Sequence, residues 1–477
     1  MIKIPFFGGV DPMKRFRLPQ FAKSFLALLA LILIMAGMLA ANPTRPARAQ
    51  AGAQPLFVET GAVTASNLSQ AAIRSRNAAL DMSVLLGDEV SGQAVENSLI
   101  QFNLFDDTIL DGVVERVETT ALGSQSWIGH IAGQEISYFY LVYTQDVLAA
   151  HIAYPDGVYE VRYAGDAVYT INQLDQSLYP DDIVLEPALP FGAAGEGGVE
   201  AQGGGAVNID VLVLYTQSAE TAAGGEAAMQ ALVNLAITET NQSYVNSNIA
   251  QQITLVHAEK ASGYTESSDF GVNLSRLQGK TDGYLDNVHA LRDQYKADLV
   301  SLIINNTQYC GIAYLMTDIS PAFESLGFSV VHYDCATGYY SFGHELGHNM
   351  GARHDRYVDN TDTPDHAYAH GYAYPAASWR TIMAYNNACT AVGKNCTRLQ
   401  YWSNPATSHG GVPMGVAGTA DNHTMLYDTG PTIANFRVSA PGAFSKYSPG
   451  DTATNLPTTS MTLSWGTSSG AVKYEYC

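Results

Sequence analysis

Charged residues are scarce in this sequence, and positively charged ones are the scarcer kind. Only 14% of the 477 residues are charged, and 24 Lys and Arg stand against 45 Asp and Glu, which gives a formal net charge of −21. A protein of this charge repels polyphosphates and anionic membrane surfaces. The composition therefore argues against nucleic acid as a partner, while the length suffices for two or three domains with their own cores.

Cysteine is absent from the chain ahead of Cys310. The five cysteines are Cys310, Cys335, Cys389, Cys396 and Cys477. In an oxidising compartment they should form disulfides, and the simplest pairing joins Cys310 to Cys335 and Cys389 to Cys396, although four cysteines allow three connectivities. Cys477 is then left over.

The N-terminus favours such a compartment. Basic residues precede an apolar run at residues 25–41, and Ala-Arg-Ala at 47–49 supplies the small residues that a signal peptidase recognises. Residues 1–49 are therefore predicted to be a signal peptide, and the mature protein to be secreted without stable membrane insertion. The alternative is an uncleaved membrane anchor, for which an apolar run of 17 residues is slightly short.

The remaining chain divides into three parts by its patterns. Alternating apolar and polar residues, broken by turn residues, predict that residues 50–206 are β-rich and end in a Gly- and Ala-rich linker at 191–206. Strand patterns then alternate with helical ones over residues 207–438, which predicts an α/β (α+β) domain. Residues 439–477 are typical of the start of a fibronectin type III-like or immunoglobulin-like β-sandwich module that stops before it is complete.

The segment GHELGHNMGARHD, residues 343–355, has the spacing of a metal site. On a helix that begins near Tyr340, His344 and His348 lie one turn apart on the same face, so both imidazoles can point at one ion. Gly351 lets the backbone turn, and His354 then brings back a third imidazole. Three histidines leave the fourth tetrahedral position of Zn²⁺ open for water, which marks a catalytic site.

Glu345 lies beside these ligands and is the candidate general base for a zinc-activated water. Other ligand plans fit less well: after Glu345 the next glutamate is Glu475, and Asp421 is a weaker candidate than His354. The remaining alternative is a helix that carries two histidines by chance, which the full spacing makes improbable.

The motif, followed by TIMAY at residues 381–385, resembles the metzincin zinc endopeptidases. Met383 matches the methionine of the turn beneath the zinc in that family, and Asp355 points to its reprolysin-like branch. Later segments resemble secreted bacterial members, including the peptidyl-Asp metalloendopeptidase group. The resemblance covers roughly residues 207–438 and implies a metzincin-type catalytic domain with a zinc cleft.

The resemblance also implies roles for residues around the cleft. Residues 310–315 could form the edge strand that receives a substrate by β-augmentation, or a buried strand. Tyr385 could donate to the oxyanion of the reaction, or could be a packed aromatic residue. Residues 386–402 would form a wall of the pocket just beyond the scissile bond, where Lys394 and Arg398 could favour an acidic side chain, although surface solubility is the simpler explanation for both.

Two other clusters could bind metal. His366 and His370 are four residues apart, but Gly and Pro nearby argue against a helix and hence against a second zinc. Residues 359–365 could bind Ca²⁺ through their three aspartates, although the segment lacks the ligand pattern of an EF-hand loop and could be a solvated loop.

The sequence thus predicts a secreted zinc-dependent endopeptidase that acts on protein or peptide substrates and is made as a zymogen. The β-rich part ahead of the linker would be a propeptide that inhibits the enzyme, or else a permanent accessory domain. Because no cysteine precedes Cys310, a propeptide cysteine cannot block the zinc, so an aspartate or occlusion of the cleft must serve. The alternative function is that of a secreted adhesive or matrix-binding protein with an inactive metzincin domain.

Overall fold

The computed structural model describes residues 53–60, 68–87, 94–120, 122–186, 207–437, 446–448 and 464–465. The predicted signal peptide, the linker at 191–206, Cys477 and most of the predicted C-terminal module lie outside these residues. Among the described residues, no helix is long and apolar enough to cross a membrane.

A ten-stranded sheet occupies the upstream part of the described chain. Its strands are β1 Gln54–Pro55, β2 Phe57–Glu59, β3 Ala72–Leu80, β4 Leu99–Phe105, β5 Thr108–Thr119, β6 Gln125–Ile131, β7 Tyr138–Thr144, β8 Val147–Tyr154, β9 Gly157–Gly165 and β10 Val168–Leu174. The spatial order is β1-β4-β5-β6-β7-β8-β9-β10-β3-β2, and every pair is antiparallel except β1 with β4. Most of the strands described in the predicted β-rich part thus belong to one large sheet.

Tight turns account for the regular antiparallel order. Gln145 and Asp146 connect β7 to β8 with φ of 49° and 66°, and Asp166 and Ala167 connect β9 to β10 with φ of 50° and 60°. Two-residue loops with positive φ match the right-handed twist of paired strands. Local sequence therefore fixes the register of these hairpins.

A second sheet lies in the downstream part of the chain. Its strands are β11 Ile183–Leu185, β12 Val207–Tyr215, β13 Gln251–Lys260, β14 Leu299–Ile304, β15 Gly311–Tyr314 and β16 Phe328–His332. The order is β11-β15-β16-β14-β12-β13, in which β15 is antiparallel to β16 and all other pairs are parallel. The strand β11 comes from the sequence ahead of the linker, yet it completes the sheet that the downstream chain builds.

The described helices are α1 Ser83–Leu86, α2 Gln217–Ala223, α3 Glu226–Asn246, α4 Phe270–Gln278, α5 Asn287–Tyr295, α6 Ser341–Asn349, α7 Asn387–Thr390 and α8 Asn422–Ile433. Short strands complete the described part: β17 Ala373–Tyr374, β18 Trp379–Arg380, β19 Thr397–Arg398, β20 Asn404–His409, β21 Val412–Met414, β22 Lys446–Ser448 and β23 Ser464–Trp465. The pair β22 and β23 is all that is described of the predicted β-sandwich module. From Val207 to Ile304 strands alternate with helices, as predicted.

Helix α3 lies between the two sheets. Leu232 and Val233 belong to the core that the second sheet shares with α6, whereas Ala228 and Ala231 belong to the core of the first sheet. Leu235 packs with residues of β6 and β7. A helix that is apolar on nearly all sides is buried on all sides, so the two sheets and this helix form one continuous packing unit.

Buried polar contacts also link the two sheets. Arg162 of β9 donates from Nη2 to Glu160 Oε2 at 2.7 Å, and its Nη1 lies 2.5 Å from Asp334 Oδ1 of the downstream part. The Arg162 and Asp334 side chains are at most 8% exposed. Elsewhere His151 Nδ1 lies 2.6 Å from Glu239 Oε1 of α3. Charges buried this deeply are tolerated only when paired.

We therefore expect Arg162→Ala to destabilise the chain strongly, by about 3–5 kcal/mol, because it leaves two carboxylates buried without a cation. Thermal or urea unfolding of the intact chain measures the effect. The control is Arg116→Ala: Arg116 also reaches α3, through Gln242, but its ion pair with Glu118 is partly exposed. An effect of about 1 kcal/mol or less is expected there, and equal effects of the two substitutions would contradict this account.

Candidate active site

The helix α6 presents the first two histidines. It begins after Tyr340, whose φ is 66°, and the chain turns away at Gly351, whose φ is 85°. The predicted start near Tyr340 and the predicted turn at Gly351 are therefore both observed. Only glycine adopts this left-handed conformation without strain, and the turn carries His354 back beside the helix.

The three histidines converge on one point. His344 Nε2 lies 3.1 Å from His354 Nε2, and His348 Nε2 lies 3.0 Å from the same atom. Tetrahedral ligands at about 2.0 Å from Zn²⁺ lie roughly 3.3 Å apart, so the spacing fits one ion. All three residues are buried, and together they form a group that could hold a metal.

Backbone carbonyls orient two of the rings. His344 Nδ1 lies 3.0 Å from Ile382 O, and His348 Nδ1 lies 2.8 Å from Ala352 O. If each Nδ1–H donates to its carbonyl, the lone pair of Nε2 remains free for a metal. Burial lowers the pKa of His348 to about 4, and burial together with the neighbouring His348 holds the pKa of His344 well below its usual value. Burial, and then His348 and His344, likewise hold the pKa of His354 well below its usual value, so all three rings favour the neutral form that binds zinc.

Met383 and Trp402 lie beneath this helix. Both are fully buried. A Cβ added at Gly347 would lie 2.6 Å from the Trp402 ring and 3.2 Å from Met383 Sδ. The absence of a side chain at Gly347 therefore allows the helix to pack closely on Trp402 and Met383.

The carboxylate of Glu345 differs from most buried acids in its hydrogen bonding. It is fully buried, and neither oxygen has a hydrogen-bond partner among the described residues. Burial, and then the charge of Asp182, raise the pKa of Glu345 well above its usual value. An orphaned buried carboxylate beside a metal-binding group is expected to find its partner in a metal, a water or a substrate.

Asp355 connects the third histidine to the turn that carries Met383. Its Oδ2 accepts from Tyr385 N at 2.8 Å, and its Oδ1 accepts from Tyr357 N at 3.0 Å. The ring of Tyr385 lies 4.2 Å from that of His354, centroid to centroid. Both roles considered for Tyr385, donor and packed aromatic, are compatible with this position.

Asp182 was not among the predicted site residues, yet it lies in the site. It is fully buried, its Oδ2 lies 3.8 Å from His344 Nδ1, and it forms with His344 and Glu345 a second group that could hold a metal. The strand β11 that follows it pairs in parallel with β15, so Ile183 lies opposite Ile312. The only signal in the sequence is an aspartate pair at 181–182 ahead of a short apolar run, which no spacing rule connects to residue 344.

The other predicted metal clusters are engaged elsewhere. Asp359 Oδ2 lies 3.3 Å from Arg353, and Asp362 Oδ1 lies 2.6 Å from Arg356. His370 Nδ1 lies 2.7 Å from the carbonyl oxygen of His354. Among the described residues these side chains do not group as metal ligands. The positions of these side chains therefore do not support a calcium site or a second zinc site.

The cysteines pair as in the simplest connectivity. Cys310 is bonded to Cys335, and Cys389 to Cys396. The first disulfide lies at the start of β15, and the second closes a loop of the segment that follows Met383. Both therefore brace chain segments that border the site.

Comparison with known proteins agrees with this geometry. Residues 206–403 match a family described as Reprolysin_5: Metallo-peptidase family M12. A peptidyl-Asp metalloendopeptidase of Stenotrophomonas maltophilia (strain K279a) is 37% identical over 412 residues, which cover 82% of this chain and 95% of the relative. One from Xanthomonas campestris pv. campestris is 42% identical over 302 residues, 62% of this chain and 69% of the relative.

The protein is therefore a zinc metalloendopeptidase. It belongs to metallopeptidase family M12, whose members depend on zinc. A solved structure, metalloproteinase-II from Bacteroides fragilis, aligns with 56% of this chain and 85% of its own at 10% identity, with a TM-score of 0.37.

The turn at Gly351 provides a test of the site's geometry. Gly351→Ala should destabilise the chain by more than about 2 kcal/mol and lower its zinc content, because it combines a left-handed φ with overpacking against Met425 and the carbonyl of Met316. Gly393→Ala is the matched control, since Gly393 has a φ of 72° but open space around its Cβ position. Unfolding curves and bound zinc measured by mass spectrometry check both variants, and unchanged zinc in Gly351→Ala would contradict this role of the turn.

Proposed function

We propose that this chain is an exported endopeptidase that hydrolyses peptide bonds with Glu345 as general base, and that it is made in a latent form. The observation that carries the catalytic part is the convergence of three neutral Nε2 atoms beside the unpaired carboxylate of Glu345. His344, His348 and His354 would hold the ion. When bound, zinc supplies a Lewis acid and makes a water nucleophilic at neutral pH.

The residues of the chain then have defined tasks. Glu345 accepts the proton of the attacking water and passes it to the leaving amine. The carbonyls of Ile382 and Ala352 keep the ligand rings oriented, and Asp355 holds the turn that bears Tyr385 against His354. The names of the relatives further suggest that this enzyme, too, cleaves at aspartate residues.

Glu345→Gln should lower kcat/KM on a peptide substrate by about 10²–10⁴-fold, the usual contribution of a general base, while zinc content and melting temperature remain close to those of the unmodified protein. A partly exposed carboxylate, Glu259, serves as the control when changed to Gln. Chelation should abolish activity and added zinc should restore it. Activity that survives both Glu345→Gln and chelation would favour the alternative of a binding protein, which the endopeptidase relatives do not support.

Latency is supported by the position of the chain's own upstream segment. The strand β15 has β16 on one side and β11 on the other, so the edge that a substrate strand would use is already paired. Leu315 N donates to Leu185 O at 2.9 Å, and Cys310 N donates to Asp181 O at 3.2 Å. A peptide that binds by β-augmentation must displace this segment. We therefore assign residues 50–206 as a propeptide with its linker, and residues 207–438 as the catalytic domain.

Activation should consequently require loss of the upstream part. We expect the N-terminus of the active, secreted protein to lie at or near the linker of residues 191–206. Sequencing of that N-terminus checks this, together with activity measured before and after cleavage at a specific protease site introduced into the linker. An active protein that still contains residues 57–190 would identify them as an accessory domain instead.

A further inference from the structure

The carboxylate of Asp182 lies beside the metal centre rather than within it. It approaches His344 at Nδ1, the nitrogen turned away from the point where the Nε2 atoms converge. It groups with His344 and Glu345, but not with all three histidines. Asp182 therefore lies next to the histidine group, on the side of Glu345, and the space that its side chain fills is called the Asp182 pocket below.

A buried cation, Arg398, faces the carboxylate of Asp182. Arg398 is fully buried, and its Nη1 donates to Asp182 Oδ2 at 3.0 Å and to Tyr339 O at 3.0 Å. Its guanidinium carbon lies 4.0 Å from the centre of the Tyr339 ring. Nε and Nη2 of Arg398, like Oδ1 of Asp182, have no hydrogen-bond partner among the described residues. The structure thus excludes surface solubility as the reason for Arg398.

Two other cations of this part of the chain, Lys394 and Arg380, bond to other groups. Lys394 Nζ is bound to the carbonyls of Pro375 and Ala376 at 2.8 Å each. Arg380, also buried, donates to the carbonyls of Cys396 and Ala384 and to the hydroxyl of Tyr339. Of the three cations, Arg398 is the one that bonds to a carboxylate and has nitrogen atoms with no hydrogen-bond partner among the described residues.

Removal of the upstream part would take Asp182 out of the pocket. The charge of Arg398 would then remain in a buried site without an anion, which is unfavourable by several kcal/mol unless another carboxylate enters. The pocket lies beside Glu345, the residue that delivers a proton to the leaving amine, so it faces the residue on the amine side of the scissile bond. An acidic side chain at that substrate position could replace Asp182 directly.

We propose that Arg398 is the specificity-determining residue for an acidic side chain immediately after the scissile bond, and that Asp182 occupies the same pocket in the precursor as an internal stand-in. The proposal rests on the proposed endopeptidase function. A planar guanidinium with free donors suits a carboxylate, which can accept two parallel hydrogen bonds.

The test compares two peptides that differ only in Asp or Asn after the scissile bond. The activated enzyme should prefer the Asp peptide in kcat/KM, and Arg398→Met should reduce the Asp-to-Asn ratio by about 100-fold, since one partner of a desolvated charge pair is lost. Lys394→Met, in the same segment, should leave the ratio unchanged. Equal losses on both peptides would show that Arg398 only supports the shape of the site and would overturn the proposal.

A second experiment measures the melting temperature of the precursor and does not depend on activity. Asp182→Asn and Arg398→Met should each lower the melting temperature of the intact chain by more than the double variant does, because the double variant leaves neither charge unpaired. The double variant also supplies the Arg398→Met enzyme if the single variant does not fold, because activation removes residue 182. Additive shifts would overturn the pairing, whereas an activated chain that hydrolyses neither peptide in the presence of zinc would instead overturn the endopeptidase function.

Discussion

The site depends on the close approach of three imidazole nitrogens: Nε2 of His354 lies 3.1 Å from that of His344 and 3.0 Å from that of His348. Buried lone pairs at that distance repel one another unless a cation lies between them, so the surrounding chain must hold the rings in place before the ion arrives. Backbone carbonyls at Ile382 and Ala352, the turn at Gly351 and the close packing of Gly347 on Trp402 all serve this one arrangement. The neighbouring backbone therefore contributes as much to the preorganisation of the site as the ligands themselves do.

Local spacing was enough to predict the helix that carries His344 and His348, the turn at Gly351 and the return of His354. Those features depend on helical periodicity and on the conformational freedom of glycine, both of which are visible within a dozen residues. The strand–helix alternation after residue 207 was predictable for the same reason. Met383 and Asp355 were named from the family resemblance alone, and the bonds that Asp355 makes to two backbone amides depend on tertiary structure.

The contact between Asp182 and Arg398 could not be predicted from the sequence. They are 216 residues apart in the chain and meet only because β11 joins the sheet of the downstream part. For Arg398 the sequence favoured a role at the surface, since arginines in a segment of Asn, Thr and Lys are usually solvated. Its burial is a property of the fold, and it is the carboxylate brought from upstream that makes the burial tolerable.

The position of α3 between the two sheets affects the stability of the catalytic part if the upstream sheet is removed. Leu235, Ala228 and Ala231 are covered by the upstream sheet, while other residues of the same helix face the catalytic core. If the upstream sheet departs, this side of the helix meets water, and its apolar surface loses the burial that favoured folding. The released enzyme would then have a smaller free energy of unfolding than the same residues have within the intact chain. The upstream sheet would then assist the folding of the catalytic part and be absent from the mature enzyme.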